Sequence, residues 1–324
     1  VQTCALPICA GTDTLTGVDS ITGSAFDDVF TGGTFNGVNT FRGGAGDDII
    51  DGTLGLTRAD YHDSDATQGV TVDLGTLDGG GNVIVVDGLG GTDTLTSVEW
   101  VVGTKFDDVL TGDTGDNRFR GAEGSDTIDG GAGIDTADYA LDNASVTVDL
   151  GSDNQTVSVT VIDGFGDTDT LTSIERVIGT KFDDVLTGDI GDNRLRGAEG
   201  SDTLDGGLGI DYVEYTLDKG SVTVDLSTNS ALDSFGGTDT LTNIENVFGS
   251  SYDDMITGDA GSNWLDGFWG DDTLTGGGGK DTLLGSYGDD TLIGGVGHGG
   301  NGDFDTAYYH VTSGPGVVTA GITV

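Results

Sequence analysis

The chain has 324 residues, of which 61 are Gly and only 2 are Pro, with 56 acidic side chains against 11 basic ones and a formal charge of -45. So much like charge opposes a compact state unless cations neutralise it. It also excludes nucleic acid as a partner, because phosphate binding needs clustered Lys and Arg, and here they are scattered along the sequence.

In chain order, the opening VQTCALPIC holds both cysteines, Cys4 and Cys9, and resembles nothing downstream. Val1 to Ile8 back-translate to a common sequencing adapter, so residues 1–10 are read as an assembly artefact and left out of fold reasoning. The remainder has no cysteine, which removes disulfides and thiolate metal sites. No basic stretch leads into an apolar one as a signal peptide would, and no apolar run has the length of a membrane span.

From residue 11 onward a long unit recurs. GSAFDDVFTG begins at Gly23, GTKFDDVLTGD at Gly103 and again at Gly179, and GSSYDDMITGD at Gly249. Such repetition points to an array rather than a single globular enzyme. The modules are expected at 11–60, 61–138, 139–214 and 215–305, with 306–324 opening a further one. The chain starts and stops inside this cycle, so it reads as a piece of a longer tandem array.

Each module has two parts. The first is a block of nonapeptides: GTKFDDVLT, GDTGDNRFR, GAEGSDTID and GGAGIDTAD run without a gap from Gly103 to Asp138, and the pattern returns from Gly179 to Glu214. The first block is irregular at Gly32 to Arg42, and the fourth is extended by GSYGDDTLI at Gly285 to Ile293. The second part is an interlude that opens on Tyr61, Tyr139 or Tyr215. It passes through an alternating strand signal, VTVDL, at Val70 to Leu74, Val146 to Leu150 and Val222 to Leu226. It closes on DTLTSVEWV from Asp93, DTLTSIERV from Asp169 and DTLTNIENV from Asp239.

Within a nonapeptide the first six residues are predicted to form a tight turn and the last three a short strand. Glycine at the first, second and fourth positions permits left-handed backbone angles and lets carbonyl oxygens approach one another. The sixth-position aspartate adds a charged oxygen, and the eighth residue, such as Leu110, Phe119, Ile128 or Ala137, points inward. Two nonapeptides make one coil, so turns on one edge lie 18 residues apart in sequence and about 4.8 Å apart in space. Carboxylates at that spacing repel by roughly 3.5 kcal/mol at an effective dielectric of 20. A calcium ion, which accepts six to eight oxygens, reverses the sign.

The expected metal-site residues follow from register. The strongest are Asp126, Asp135, Asp202, Asp211, Asp272, Asp281 and Asp290, with turn glycines Gly124, Gly131, Gly133, Gly200, Gly207, Gly209, Gly270, Gly277, Gly279 and Gly288. Ala122 stands where the template has its second glycine. Asp48 has a complete GGAGDD turn without clean neighbours. In the leading repeats Asp108, Asp184 and Asp254 follow an aromatic fourth residue, Phe106, Phe182 or Tyr252, and these turns, like that of Phe26, are expected to be packed caps with half a site. Asn117, Asn193 and Asn263 hold the sixth position of the second repeats, where an amide oxygen brings no charge and a weaker site is expected.

These nonapeptides resemble the RTX, or hemolysin-type calcium-binding, repeats of bacterial secreted proteins. The resemblance covers nearly everything after residue 10, since the interludes also look like segments that alternate with such blocks. It implies an all-β fold of right-handed parallel β-roll or β-solenoid blocks joined by β-rich interludes, with several calcium ions as cofactors. It further implies export through a type I secretion machinery, folding on extracellular calcium, and a secreted or cell-surface location. Catalysis has no support: neither HExxH nor GxSxG occurs, and His62, His298 and His310 fall in unrelated contexts. The chain is therefore expected to be a noncatalytic structural segment. Two alternatives remain open: the noncatalytic part of a secreted protease, lipase or polysaccharide-modifying enzyme, or an adhesin or ice-binding surface built on Thr94, Thr96, Thr170 and Thr172, whose partner is a cell-surface or extracellular polymer.

Overall fold

The computed structural model describes residues 2–3, 18–33, 37–153, 158–295 and 305–309. Most of residues 1–10, with His298, His310 and residues 310–324, lie outside these. The described residues are all β apart from one 3-10 turn, Leu226–Thr228. They pack as two compact units: Val1–Asn143 with Gln155–Arg176, and Ala144–Asn154 with Val177–Val324.

In the first unit each nonapeptide from Gly103 to Asp138 contributes one three-residue strand. Val109–Thr111 and Thr127–Asp129 pair in parallel in one sheet, while Trp100–Val102, Arg118–Arg120 and Thr136–Asp138 pair in parallel in the other. Partners such as Val109 and Thr127, or Arg118 and Thr136, are separated by the two nonapeptides of one coil. The short strands follow from composition: a glycine turn precedes and follows each, and three residues place one side chain inward and two outward, while in the last block Thr273–Gly277, Thr282–Ser286 and Thr291–Gly295 extend to five. The inward side chains Leu110, Phe119, Ile128 and Ala137 are all at most 1% exposed. The second unit repeats the arrangement, with Leu186 and Leu204 facing one way and Leu195 and Val213 the other, each fully buried. This is the parallel β-roll expected from the nonapeptides.

The interludes build something the strand signals did not reveal. In the first unit Thr71–Asp73 enters the sheet, Val83–Val86 returns antiparallel, and Thr92–Thr96 runs back to pair in parallel with Ile49–Asp51. Thr71–Asp73 also pairs in parallel with Val109–Thr111 of the next block. On the opposite sheet the interlude inserts nothing, because Thr57–Asp60 pairs directly with Trp100–Val102. In the second unit Thr223–Asp225, Ser230–Leu232 and Thr238–Thr242 make the same excursion. The opening tyrosines Tyr61, Tyr139 and Tyr215 are buried.

All seven arginines fall on strands of the inserted-free sheet, although the sequence scatters them. Their charge is met locally. Arg42 bonds Asp60 at 3.0 Å, and Arg118 and Arg120 both reach the fully buried Oδ2 of Asp138, at 2.9 and 2.5 Å. Arg58 and Arg118 stack on Trp100, 4.8 and 4.0 Å from the ring centre.

Candidate metal centres

The sixth-position carboxylates form ladders along the turn edges. Oδ1 of each accepts the backbone N–H of the sixth-position residue one coil earlier: Asp126 from Asp108 at 2.8 Å, Asp135 from Asn117 at 2.7 Å, Asp202 from Asp184 at 2.8 Å and Asp272 from Asp254 at 2.8 Å. Asp211 and Asp281 do the same for Asn193 and Asn263. The bond follows from the coil: turns stacked at strand spacing bring the next N–H within reach of a short acidic side chain.

The other oxygen is left over. Oδ2 of Asp48, Asp126, Asp135, Asp202, Asp211, Asp272 and Asp281 is buried with no hydrogen-bond partner, and these residues are at most 1% exposed. A buried carboxylate oxygen without a partner is costly, so its charge is disfavoured. Burial pushes Asp126 up to about 9, helped by the neighbouring charge of Asp169, and Asp202 up to about 8, helped by Asp239. Burial likewise lifts Asp48, Asp135, Asp211 and Asp272 to about 7. Asp281 and Asp290 are raised for the same reason. Asp290 is more open than the rest, and its Oδ1 accepts from Asp272 N–H at 3.0 Å.

Glycine makes room for this arrangement at two kinds of position. At the first, a Cβ on Gly121 or Gly197 would lie 1.9 Å from Oδ2 of Asp126 or Asp202, so only glycine lets the carboxylate fold beneath its own turn. At the second and fourth, a Cβ on Gly131 or Gly133 would meet Asp113 O at 2.5 Å or Gly115 O at 2.6 Å, carbonyls of the turn one coil earlier. Gly207, Gly209, Gly277 and Gly279 meet equivalent carbonyls, and Gly124, Gly200 and Gly270 approach the backbone of Phe106, Phe182 and Tyr252. Gly288 approaches Gly270 O. All ten of these turn glycines have positive φ, and so do Ala122 and Ala198, which hold the left-handed angle without being glycine.

Each site thus offers one charged oxygen and several carbonyls. Among the described residues no three His, Cys, Asp or Glu side chains converge to hold an ion by themselves. An all-oxygen set rich in carbonyls, with spare negative charge and no nitrogen or sulfur, fits calcium.

The repeat matches what is known of other proteins. The family described as RTX calcium-binding nonapeptide repeat matches residues 13–34, 34–55, 102–137, 178–213, 248–283 and 275–303, more than half of the chain. The chain belongs to the RTX calcium-binding repeat family. It is a calcium-binding repeat region, and no curated protein matches it.

Several RTX turns differ from their sequence reading. The leading repeats are sealed rather than packed. Oδ2 of Asp108 accepts Thr104 N–H at 2.6 Å, and Oδ1 accepts Val70 N–H at 2.6 Å and the Thr104 hydroxyl at 3.1 Å. Asp184 with Thr180 and Asp254 with Ser250 repeat this closure. The aromatic rings expected to pack as caps lie outward instead: Phe26 is 68%, Phe182 36% and Tyr252 47% exposed. Their place in the turn, before the strand begins, points them outward, and Lys105 and Lys181 lie over Phe106 and Phe182. In the second repeats the Asn117, Asn193 and Asn263 amide oxygens accept N–H groups of Asp113, Asp189 and Asp259 at 2.8, 2.8 and 2.9 Å. Asp48 has neighbours on both sides after all: it accepts Asp28 N–H at 2.8 Å, and its own N–H donates to Asp93 at 3.0 Å.

That last bond exposes residues the sequence reading passed over. Asp93, Asp169 and Asp239 continue the ladder, accepting N–H of Asp48, Asp126 and Asp202 at 3.0, 2.9 and 3.0 Å. On the other edge Glu99, Glu175 and Glu245 accept N–H of Thr57, Asp135 and Asp211. The signal was present: Gly88 to Thr96 reads GLGGTDTLT, a nonapeptide with one glycine replaced. His62 is exposed, its ring 3.4 Å from Thr104 O, as expected for a loop residue.

Proposed function

We propose that this chain is a noncatalytic segment whose folding is driven by calcium, and that it stiffens and helps to fold a larger exported protein. The observation that carries the reading is the row of buried, partnerless Oδ2 atoms on Asp48, Asp126, Asp135, Asp202, Asp211, Asp272 and Asp281. Each of these oxygens, with carbonyls of the stacked turns and glycines Gly124, Gly131, Gly133, Gly200, Gly207, Gly209, Gly270, Gly277, Gly279 and Gly288 making room, supplies ligands to an ion between coils. Asp290 begins another such site. The sealed Asp108, Asp184 and Asp254, and the amides of Asn117, Asn193 and Asn263, contribute weakly.

The charge supports export before folding. A chain of formal charge -45 stays extended at low cytosolic calcium and remains threadable through a type I secretion channel. Extracellular calcium then folds it outside the cell.

The test is circular dichroism of the full chain during a calcium titration. The chain is expected to be largely disordered in chelator and to gain β structure at roughly 0.1 to 1 mM calcium, the range of extracellular modules. Full β structure in excess chelator would refute metal-coupled folding.

A further inference from the structure

We infer that each interlude completes a calcium site of its own at the end of a block, using an aspartate that lies outside the nonapeptides. The aspartates are Asp87, Asp163 and Asp233, at the start of the turn DGLGGTD, DGFGDTD or DSFGGTD that leads into the closing strand. The family match covers none of the three.

The two oxygens of each have different fates. Oδ1 is used by the turn: in Asp87 it accepts N–H from Leu89, Gly90 and Gly91, in Asp163 from Phe165, Gly166 and Asp167, and in Asp233 from Phe235 and Gly237. Oδ2 is buried in all three copies with no hydrogen-bond partner, on residues that are 1, 2 and 4% exposed. No turn N–H, arginine or hydroxyl answers it.

In two copies Oδ2 lies near a carbonyl of the block. A Cβ on Gly237 would lie 1.6 Å from Gly200 O and 2.8 Å from Asp233 Oδ2, and one on Gly91 would lie 1.9 Å from Gly46 O and 3.1 Å from Asp87 Oδ2. The missing side chain of Gly91 or Gly237 therefore lets a fourth-position carbonyl of the block pack directly against the interlude turn, close to its carboxylate Oδ2. The same geometry arises independently in the two units. In the middle interlude Asp167 replaces this glycine, and its Oδ2 accepts Gly124 N–H at 3.3 Å, so this copy brings a further carboxylate to the turn.

The block adds charge to the same place. Asp48, Asp126 and Asp202 lie next along the ladder, each with its own partnerless Oδ2. Two carboxylates and a carbonyl, all oxygen and closed to solvent, suit a hard divalent cation, and a set that imposes no rigid octahedron favours calcium over magnesium. The inference rests on the calcium reading of the blocks.

The experiment counts ions on the full chain by equilibrium dialysis against calcium chloride, with circular dichroism to confirm β structure at saturation. Asparagine keeps the Oδ1 acceptor of the turn and removes the charged Oδ2, so Asp87→Asn, Asp163→Asn and Asp233→Asn are combined in one variant. One ion fewer for each substituted interlude, with the β signal intact, supports the inference. An unchanged count overturns it and leaves the block sites standing, whereas a wild-type chain that binds no calcium takes both readings down. If the triple variant does not fold, Asp233→Asn alone is read by the same two counts.

Discussion

Without calcium, acid should favour this fold, in contrast to most acidic proteins. Asp48, Asp135, Asp211 and Asp272 are lifted by burial from 3.8 to about 7, Asp202 to about 8 and Asp126 to about 9. A carboxyl whose folded value is raised binds its proton more tightly in the fold than in the unfolded chain. Its stabilising proton is fully effective below 3.8 and is progressively lost as pH rises towards the raised value. At about 1.36 kcal/mol per unit, keeping one group raised to about 7 in the ion-free fold costs about 4 kcal/mol at pH 7 and roughly 2 kcal/mol at pH 5. The groups interact, so the costs do not simply add, but two or three of them already rival a typical total stability of about 5 to 15 kcal/mol. In chelator, far-UV circular dichroism should therefore show a disordered chain at pH 7.5 that gains β structure as the pH falls to 5, still above the isoelectric point near 4.1. With calcium the slope inverts, because protons compete with the ion for the same oxygens. A β signal in chelator that is flat between these pH values, or that rises with pH, would refute the reasoning.

Asp126→Asn removes a buried carboxyl that the ion-free fold must hold protonated, while keeping the Oδ1 acceptor for Asp108 N–H. It should stabilise the chelated chain at pH 7.5 by up to about 5 kcal/mol and raise the calcium midpoint, and loss of stability in both conditions would contradict this. Gly207→Ala places a Cβ 2.3 Å from Asp189 O at a φ of +91°, so it should cost at least about 1 to 2 kcal/mol and lower the melting temperature in saturating calcium. Asp138→Asn strips the shared anion from Arg118 and Arg120 and should cost roughly 3 to 5 kcal/mol in calcium-saturated denaturant unfolding. A cost below about 1 kcal/mol would show that solvent, not Asp138, satisfies the two guanidinium groups.

The nonapeptides could be read directly because their information is local. Glycine spacing sets the turn, three residues set the strand, and the eighth residue sets the inward face, so Leu110, Phe119 and Ile128 were legible before any coordinates. The 18-residue step between Val109 and Thr127 followed from the same arithmetic. The interludes were less legible because their pairing is non-local. VTVDL announces a strand, but nothing in it says that its neighbour runs antiparallel, or that the excursion stays within one sheet. Phe26, Phe182 and Tyr252 misled because an aromatic residue suggests burial, whereas its outward position in the turn leaves it in solvent. Asp93, Asp169 and Asp239 were hidden by their neighbours: DTLT marks the close of an interlude, and the glycines that make it a nonapeptide stand before that motif.

The sequence by itself determined the repeat, the all-β fold, the inward residues and the acidic oxygen of each turn, because all of these depend on backbone freedom and charge within nine residues. Tertiary structure alone decided which carboxylate oxygens are sealed and which are left over. Asp108 and Asp126 sit at the same repeat position with the same side chain. One has both oxygens bonded, by Thr104 and Val70, while the other keeps a buried Oδ2 without a partner. The difference comes from what the adjacent turn and the adjacent coil present to the oxygen, and that is set only when the coils stack.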